Sequence, residues 1–435
     1  MTTLAEVKLW GSRIGAVVLS DDSRTATFQY DQRFSLSGIQ VSPLMMPLSN
    51  RLYSFPELPR DSFHGLPGLL SDSLPDRFGN ALINSWLARE GRTPSSLNAV
   101  ERLRYTGNRG MGALEFSPVT GPEPSKKKYL HVDELVSLAS EILKNREKLN
   151  TVIGKEYSED ALTEILRVGT SAGGARAKAI IAWNPDTNQV RSGQINAYDG
   201  FQYWLLKFDG VSNNKDRELD DPRGYGIIEF AYSEMAKSCG IEMSECRLFR
   251  ENGRSHFMTK RFDRLPDGDK LHMQSLAALA HFDFNLAGAY SYEQVFQVMR
   301  RLNLPYRSIE QQFRRMVFNI VARNQDDHVK NIAFLMNREG HWTLAPAFDV
   351  NYSYQPDGLW TANHQMTVNG KQDSFNSTDM KECARMAGMK QGQWRIILEQ
   401  VQDVVSKWKD YADEAGVFAH QRDRIQKTLR LTKFL

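Results

Sequence analysis

At 435 residues, with 41% hydrophobic and 25% charged residues, the chain has the make-up of an ordinary globular protein long enough for two or three domains. A formal net charge of +3 is mildly basic: it suits an anionic partner such as a nucleotide or DNA and gives no sign of an obligate nucleic-acid binder. Three scattered cysteines argue against a disulfide framework and lack CxxC metal spacing, no run approaches the roughly 20 apolar residues of a membrane span, and the start lacks the basic-then-apolar order of a signal peptide, so the cytoplasm is the expected compartment.

Residues 4–32 alternate apolar and polar and break at Gly11-Ser12 and Asp21-Asp22-Ser23, which predicts short antiparallel strands in EVKLW, RIGAVVLS and TATFQYD. Residues 66–90 read as helical with an interruption at Pro75, and GNRGMGALEFSP (107–118) as a glycine-rich turn into a strand. GPEPSKKKY (121–129) is the best linker in the first half, its three lysines a solvated run rather than a DNA contact. Apolar residues at Val132, Leu135, Leu138, Ile142 and Leu143 predict a helix over 132–149, and a shorter one follows Ser158 and ends near Gly169. KAIIAW and YWLLKF read as strands, GIIEFAYSEMAKSCG as a helix closing on Gly240, and RSHFMTKRFDRL as a strand entering a turn.

Beyond about residue 270 strand signals nearly vanish. Ser308 with Gln311 suggests a capping box. Behind it Phe313, Met316, Val317, Ile320 and Val321 form a buried helix face that delivers the chain to Asn324. The last 55 residues also read as helical. The order is a β-rich module, a small α+β region and a helical region.

Four segments could carry chemistry. In NQDDHVKN (324–331) an Asp stands five residues before an Asn, and Asp349 follows in APAFDV. Asp326 could take a proton from a hydroxyl, Asn331 and Asp349 could ligate Mg²⁺ through hard oxygens, and His328 and Asp327 could support them. The same pattern reads equally as a polar helix end capped by its acids. A zinc site from His328, Asp326 and Asp349 lacks an H-E-x-x-H or cysteine cluster to strengthen it. In VGTSAGGARAK (168–178) the glycines free the backbone to approach an anion, with Arg176 or Lys178 to neutralise phosphate, although the segment is neither a Walker A loop nor G-x-G-x-x-G and by itself is an ordinary turn. Lys207 in QYWLLKFDG lies among apolar residues, where a charge needs a partner: an ATP phosphate fits, and so does an edge-strand lysine snorkelling to water. KRFDR (260–264) could join two lobes and offer backbone groups to adenine, or form a surface turn with an Asp263–Arg264 pair. HFDF (281–284) reads as helical packing with local capping.

The order glycine loop, strand lysine, hinge, helix, Asp/Asn loop and second Asp is that of a kinase. On GNRGMGALEFSP, SAGGARAK, WLLKF, KRFDR, HMQSLAAL, NQDDHVKN and LAPAFDV, the chain resembles the HipA family of bacterial toxin kinases over nearly its whole length. The resemblance implies an α+β fold: a two-lobed protein-kinase-like core, with a mixed N-lobe (123–265) and an all-helical C-lobe (266–435), behind an N-terminal β-rich subdomain (1–122). It implies a serine/threonine kinase using ATP and Mg²⁺. Asp326 would be the catalytic base, and Asn331 and Asp349 the metal ligands. ATP would be bound by Ala172, Gly173, Gly174, Ala175, Arg176 and Lys178 of the phosphate loop, by Lys207, by Lys260 and Phe262 at the hinge, and by His328 and Asn331. Ser171 matches the family's autophosphorylated serine, an off switch. The implied partners are a small helix-turn-helix antitoxin (HipB-like), operator DNA mainly through that antitoxin, and a protein substrate such as an aminoacyl-tRNA synthetase, with no membrane. The alternatives are a non-catalytic antitoxin-binding co-repressor and a small-molecule phosphotransferase.

Overall fold

The computed structural model describes residues 2–20, 22–121, 129–144, 159–169, 176–194, 200–211 and 223–431. The lysine-rich linker at 122–128 and Thr170 to Ala175 of the glycine loop, Ser171 included, lie outside them.

The chain opens with β1 (Thr2–Leu9), β2 (Ser12–Ser20), β3 (Thr27–Tyr30) and β4 (Leu52–Tyr53), then α1 (Arg60–Phe63), α2 (Gly68–Ser71), α3 (Arg77–Arg89), α4 (Ala99–Thr106) and β5 (Leu114–Ser117). The strands form one antiparallel sheet in the order β4-β3-β2-β1-β5. Alternation places Ala5, Val7 and Leu9 inward, against Phe28, Leu103 and Phe116. Gly11, at φ 79°, makes the tight β1–β2 turn that the sequence signalled.

A second unit holds α5 (Val132–Lys144), α6 (Glu159–Gly169), β6 (Lys178–Asn184), β7 (Gln189–Ser192), β8 (Gln202–Lys207), α7 (Tyr225–Ser238), β9 (Cys246–Glu251) and β10 (Arg254–Lys260). Its five-stranded sheet runs β7-β6-β8-β10-β9, antiparallel throughout. Its core is not self-sufficient: Phe78, Ala81 and Leu82 of α3 pack with Val136, Ile181 and Trp204. Asp76 starts α3 by accepting the Gly79 N–H at 2.6 Å, which explains the break at Pro75.

The rest comprises β11 (His272–Ser275), α8 (Leu276–Ala280), α9 (Tyr292–Arg301), α10 (Tyr306–Val321), β12 (Ala333–Met336), β13 (Trp342–Leu344), α11 (Ser377–Met386), α12 (Gln393–Ser406), α13 (Trp408–Ala415) and α14 (Ala419–Gln426). Its core centres on Tyr232 of α7, edge-on to Phe318 of α10 and Trp408 of α13. The expected helix face is buried in full: Phe313, Met316, Val317, Ile320 and Val321 are all at most 1% exposed.

Two expectations are corrected here. The Ser308–Gln311 capping box does not form, because α10 begins earlier, after Pro305, with no side-chain cap. Gln311 instead accepts from Glu242 N at 3.0 Å and donates to Gly240 O at 2.9 Å, joining α10 to the end of α7. The helical region also holds the three-stranded sheet β11-β12-β13. β12 is buried on every residue, so it shows no alternation to read.

Candidate functional site

The stretch after α10 makes a tight reversal. Arg323 takes φ 58°, and its guanidinium is fixed by Gln325 Oε1 at 2.9 Å and Thr428 O at 2.9 Å. The loop 324–331 follows. Asp327, almost fully buried, accepts from Tyr292 OH at 2.8 Å, His364 Nδ1 at 2.9 Å and Gln365 N at 2.8 Å. Burial opposes its charge, but His364 and these bonds hold its carboxyl below the usual carboxylate range. Asp327 is therefore the anchor of the loop. Its neighbour Asp326 faces the cleft, with 42% of its side-chain surface open. Asp326 Oδ1 accepts the Trp360 indole N–H at 2.8 Å and lies 3.7 Å from His328 Nε2. The protein walls around it push its pKa up, an effect that its open face tempers.

Asn331 Nδ2 donates to the Asp326 backbone carbonyl at 2.8 Å, which leaves the amide oxygen of Asn331 for another partner. His328 Nδ1 accepts the Lys330 N–H at 3.2 Å. Asn331, His328 and Asp349 line one recess. Asp349 stands at φ 52°, a left-handed conformation unusual for a residue other than glycine and one that turns its carboxylate toward the sheet.

The buried Lys207 meets that carboxylate. Its ammonium contacts Asp349 and lies 2.6 Å from Glu229 Oε1 on α7. Arg176 reaches the other Glu229 oxygen at 2.9 Å. Burial alone would lower the Lys207 pKa, but Asp349 and Glu229 raise it to about 12. Burial likewise opposes ionisation of Asp349, and Lys207 and Lys178 overcome it and bring its pKa to about 2. Lys178 is 2% exposed and lies 3.3 Å from Asp76 at the start of α3. The alternative of an edge-strand lysine at 207 is corrected: β8 is central, between β6 and β10.

The KRFDR segment is no surface turn. Asp263 is fully buried, clamped by Arg261 Nη2 at 2.6 Å and Arg264 Nη1 at 2.7 Å, and it accepts from Gly112 N at 2.7 Å. The Lys260 and Arg261 amides bond within the sheet, to Glu245 O at 2.8 Å and Tyr203 O at 2.9 Å. The Lys260 side chain is turned outward toward Glu245. Phe262 supplies a ring, 5.6 Å from Phe348, in an apolar layer with Leu335 and Ala345.

The structure thus brings together Asp326, His328, Asn331, Asp349, Lys207, Arg176 and Lys178, with Phe262 beyond them. Ser171, Ala172, Gly173, Gly174 and Ala175 fall outside the described residues. Among the described residues, no group of three His, Cys, Asp or Glu side chains is placed to hold a metal ion, so the His328–Asp326–Asp349 zinc arrangement is not formed. Sequence reasoning missed Glu229 and Trp360. The only signal for Glu229 was an acid inside the apolar run GIIEFAY; nothing near Trp360 marked it.

Residues 170–408 match the family model of the HipA-like C-terminal domain, and residues 5–117 match that of the HipA N-terminal domain. A putative kinase, Y4mE, of Sinorhizobium fredii (strain NBRC 101917 / NGR234) is 25% identical over 125 residues, a match spanning 27% of this chain and 30% of that protein. A chain of the Shewanella oneidensis MR-1 toxin–antitoxin complex of HipA, HipB and operator DNA has a TM-score of 0.66 at 16% identity and covers 98% of this chain and 94% of that one, so the two share a fold. The Helicobacter pylori proinflammatory kinase CtkA covers 59% of this chain and 87% of its own, with a TM-score of 0.39 and 15% identity.

Proposed function

This chain belongs to the HipA family, and we propose that it is an ATP-dependent serine/threonine protein kinase acting as the toxin of a toxin–antitoxin pair. One observation carries the reading: Lys207 contacts both Glu229 and Asp349, beside an Asp326–Asn331 loop that lines the same cleft. A strand lysine, a helix glutamate and a metal-binding aspartate held together are the parts a phosphoryl-transfer site needs in place.

The residues fit the nucleotide and its metal. Asp349 and Asn331 present a carboxylate and an amide carbonyl to one recess, the hard oxygen donors that Mg²⁺ takes. Lys207, Arg176 and Lys178 place three cations beside Asp349. Bound ATP would supply the phosphoryl group, and Mg²⁺ would neutralise charge as it leaves. Asp326 holds an open carboxylate oriented by Trp360 and serves as base toward the acceptor hydroxyl. His328 stands beside it, and Phe262 would offer its ring to the adenine from the apolar layer around Leu335 and Ala345.

Ser171 is the proposed autophosphorylation site. A phosphoserine adds a charge of about −1.5 to −2 next to residues that would otherwise meet ATP phosphates, so it would switch the enzyme off. A helix-turn-helix antitoxin would partner the chain and carry most of the operator contact, and the substrate would be a translation protein such as an aminoacyl-tRNA synthetase. Phosphoproteomics of cells expressing the chain without antitoxin, against Asp349→Ala, tests the reading. New phosphoserines on a cellular protein and on Ser171 support it. In a parallel incubation of the purified chain and cell extract with γ-labelled ATP, label found only on a metabolite would make it a small-molecule phosphotransferase, and no transfer at all would leave a co-repressor.

A further inference from the structure

Residues 350–376 run between Asp349 and α11. From this loop Trp360 sends its indole N–H to Asp326 Oδ1 at 2.8 Å, with its ring 6.4 Å from the His328 imidazole. The contact is laced on both flanks. The Gln365 side-chain amide donates to the Trp360 and Gln325 carbonyls, and its backbone N–H donates to Asp327 Oδ1 at 2.8 Å. The Gln325 amide donates in turn to Thr361 O at 3.3 Å. Gln325 and Gln365 are buried, whereas Leu359, next to Trp360, is 99% exposed. Leu359 at the loop tip is therefore not held by apolar burial. Hydrogen bonds to residues 325–327 fix the indole beside it.

An indole on a catalytic carboxylate can either cover it or aim it. Among the described residues the two groups that approach Asp326, the Trp360 N–H and His328 Nε2, both come to Oδ1, and the side chain stays 42% open. A cover would occupy both oxygens and bury them. One donor on one oxygen instead fixes the plane of the carboxylate and leaves its second oxygen free to accept.

We propose that Trp360 is a positioning residue for Asp326: its indole N–H anchors Oδ1 and so points Oδ2 at the hydroxyl of the phosphate acceptor. This rests on the phosphotransferase reading, in which Asp326 is the base. A carboxylate free to rotate about its side-chain torsions would spend less time aimed at the hydroxyl, and rate depends steeply on such aim.

Trp360→Phe keeps an aromatic ring and removes the donor. In the full chain it should lower kcat for phosphoryl transfer from ATP by about tenfold to a hundredfold, with the KM for ATP changed by less than about twofold, since the loss lies in orientation rather than binding. A second readout needs no nucleotide. In protein carrying ¹⁵N-labelled tryptophan, the indole signal that disappears in Trp360→Phe should move in Asp326→Ala. An unchanged or raised kcat, a loss carried wholly by KM, or a Trp360 signal indifferent to Asp326→Ala overturns the proposal. Wild-type protein that shows the Asp326-dependent signal yet transfers no phosphate overturns the phosphotransferase reading instead, and with it the role given to Trp360.

Discussion

Lys207 shows how much the site depends on single charges. An ammonium whose side chain is only 8% exposed is stable only because Glu229, 1% exposed, and Asp349 share it. Lys207→Arg keeps the charge but not the geometry, since a planar fork cannot take the place of a compact ammonium between two carboxylates. The variant should fold and lose transfer activity by about a hundredfold, the usual consequence of a misplacement near 1 Å; kinetics alongside thermal melting check this, and near-wild-type activity would show that the lysine is not positioned for chemistry. At this scale Asp326, Asn331, Asp349 and Lys207 could be singled out from the sequence, because each sits in a local pattern, and the structure places them close together. Glu229 and Trp360 were hidden because their partners lie 22 and 34 residues away, and no local spacing encodes such a pairing.

The elements show how the β-rich module grips the helical region. Gly68 of α2 lies so close to α8 that an added Cβ would meet Ala278 O at 2.2 Å. Asp72 caps the same contact, accepting from Ser275 N at 2.7 Å and Ser275 Oγ at 2.9 Å. His281 accepts the Gly68 N–H at Nε2, 3.1 Å away, which requires a neutral ring. Burial lowers its pKa from 6.5 to about 4. Between these two values the unfolded chain binds the proton and the folded chain does not. Stability from this group is therefore present above the unfolded pKa and is lost as pH falls toward the folded one, by at most about 3 kcal/mol. His281→Gln, which can still accept from Gly68, should flatten the fall in melting temperature between pH 6.5 and 4; an unchanged slope would remove His281 from the account. Strands β1, β2, β3 and β5 of the module and the α10 face were legible from the sequence, while the two-residue β4 was not. The β11-β12-β13 sheet was not, since its strands are three or four residues long and β12 has no polar face.

At the scale of the molecule, the cores of the module, the second unit and the helical region are joined by buried polar bolts. Arg261, Asp263 and Arg264 bind the segment after the second sheet to Gly110 and Gly112 of the module. Burial alone would raise the Asp263 pKa, but the two arginines hold its carboxyl far below the usual carboxylate range. Asp263→Ala leaves two guanidiniums buried without their counter-charge and should cost about 3–5 kcal/mol in denaturant unfolding. A change under about 1 kcal/mol would mean that the arginines find water instead. The proposed cleft transfers phosphate with Asp326 as base. Its most direct test is single-turnover transfer from γ-labelled ATP and Mg²⁺ by the purified chain, against Asp326→Gln of equal melting temperature. Protein-bound label is expected in the wild type, with a loss of at least about a hundredfold in the variant. Equal labelling of the two proteins would contradict it.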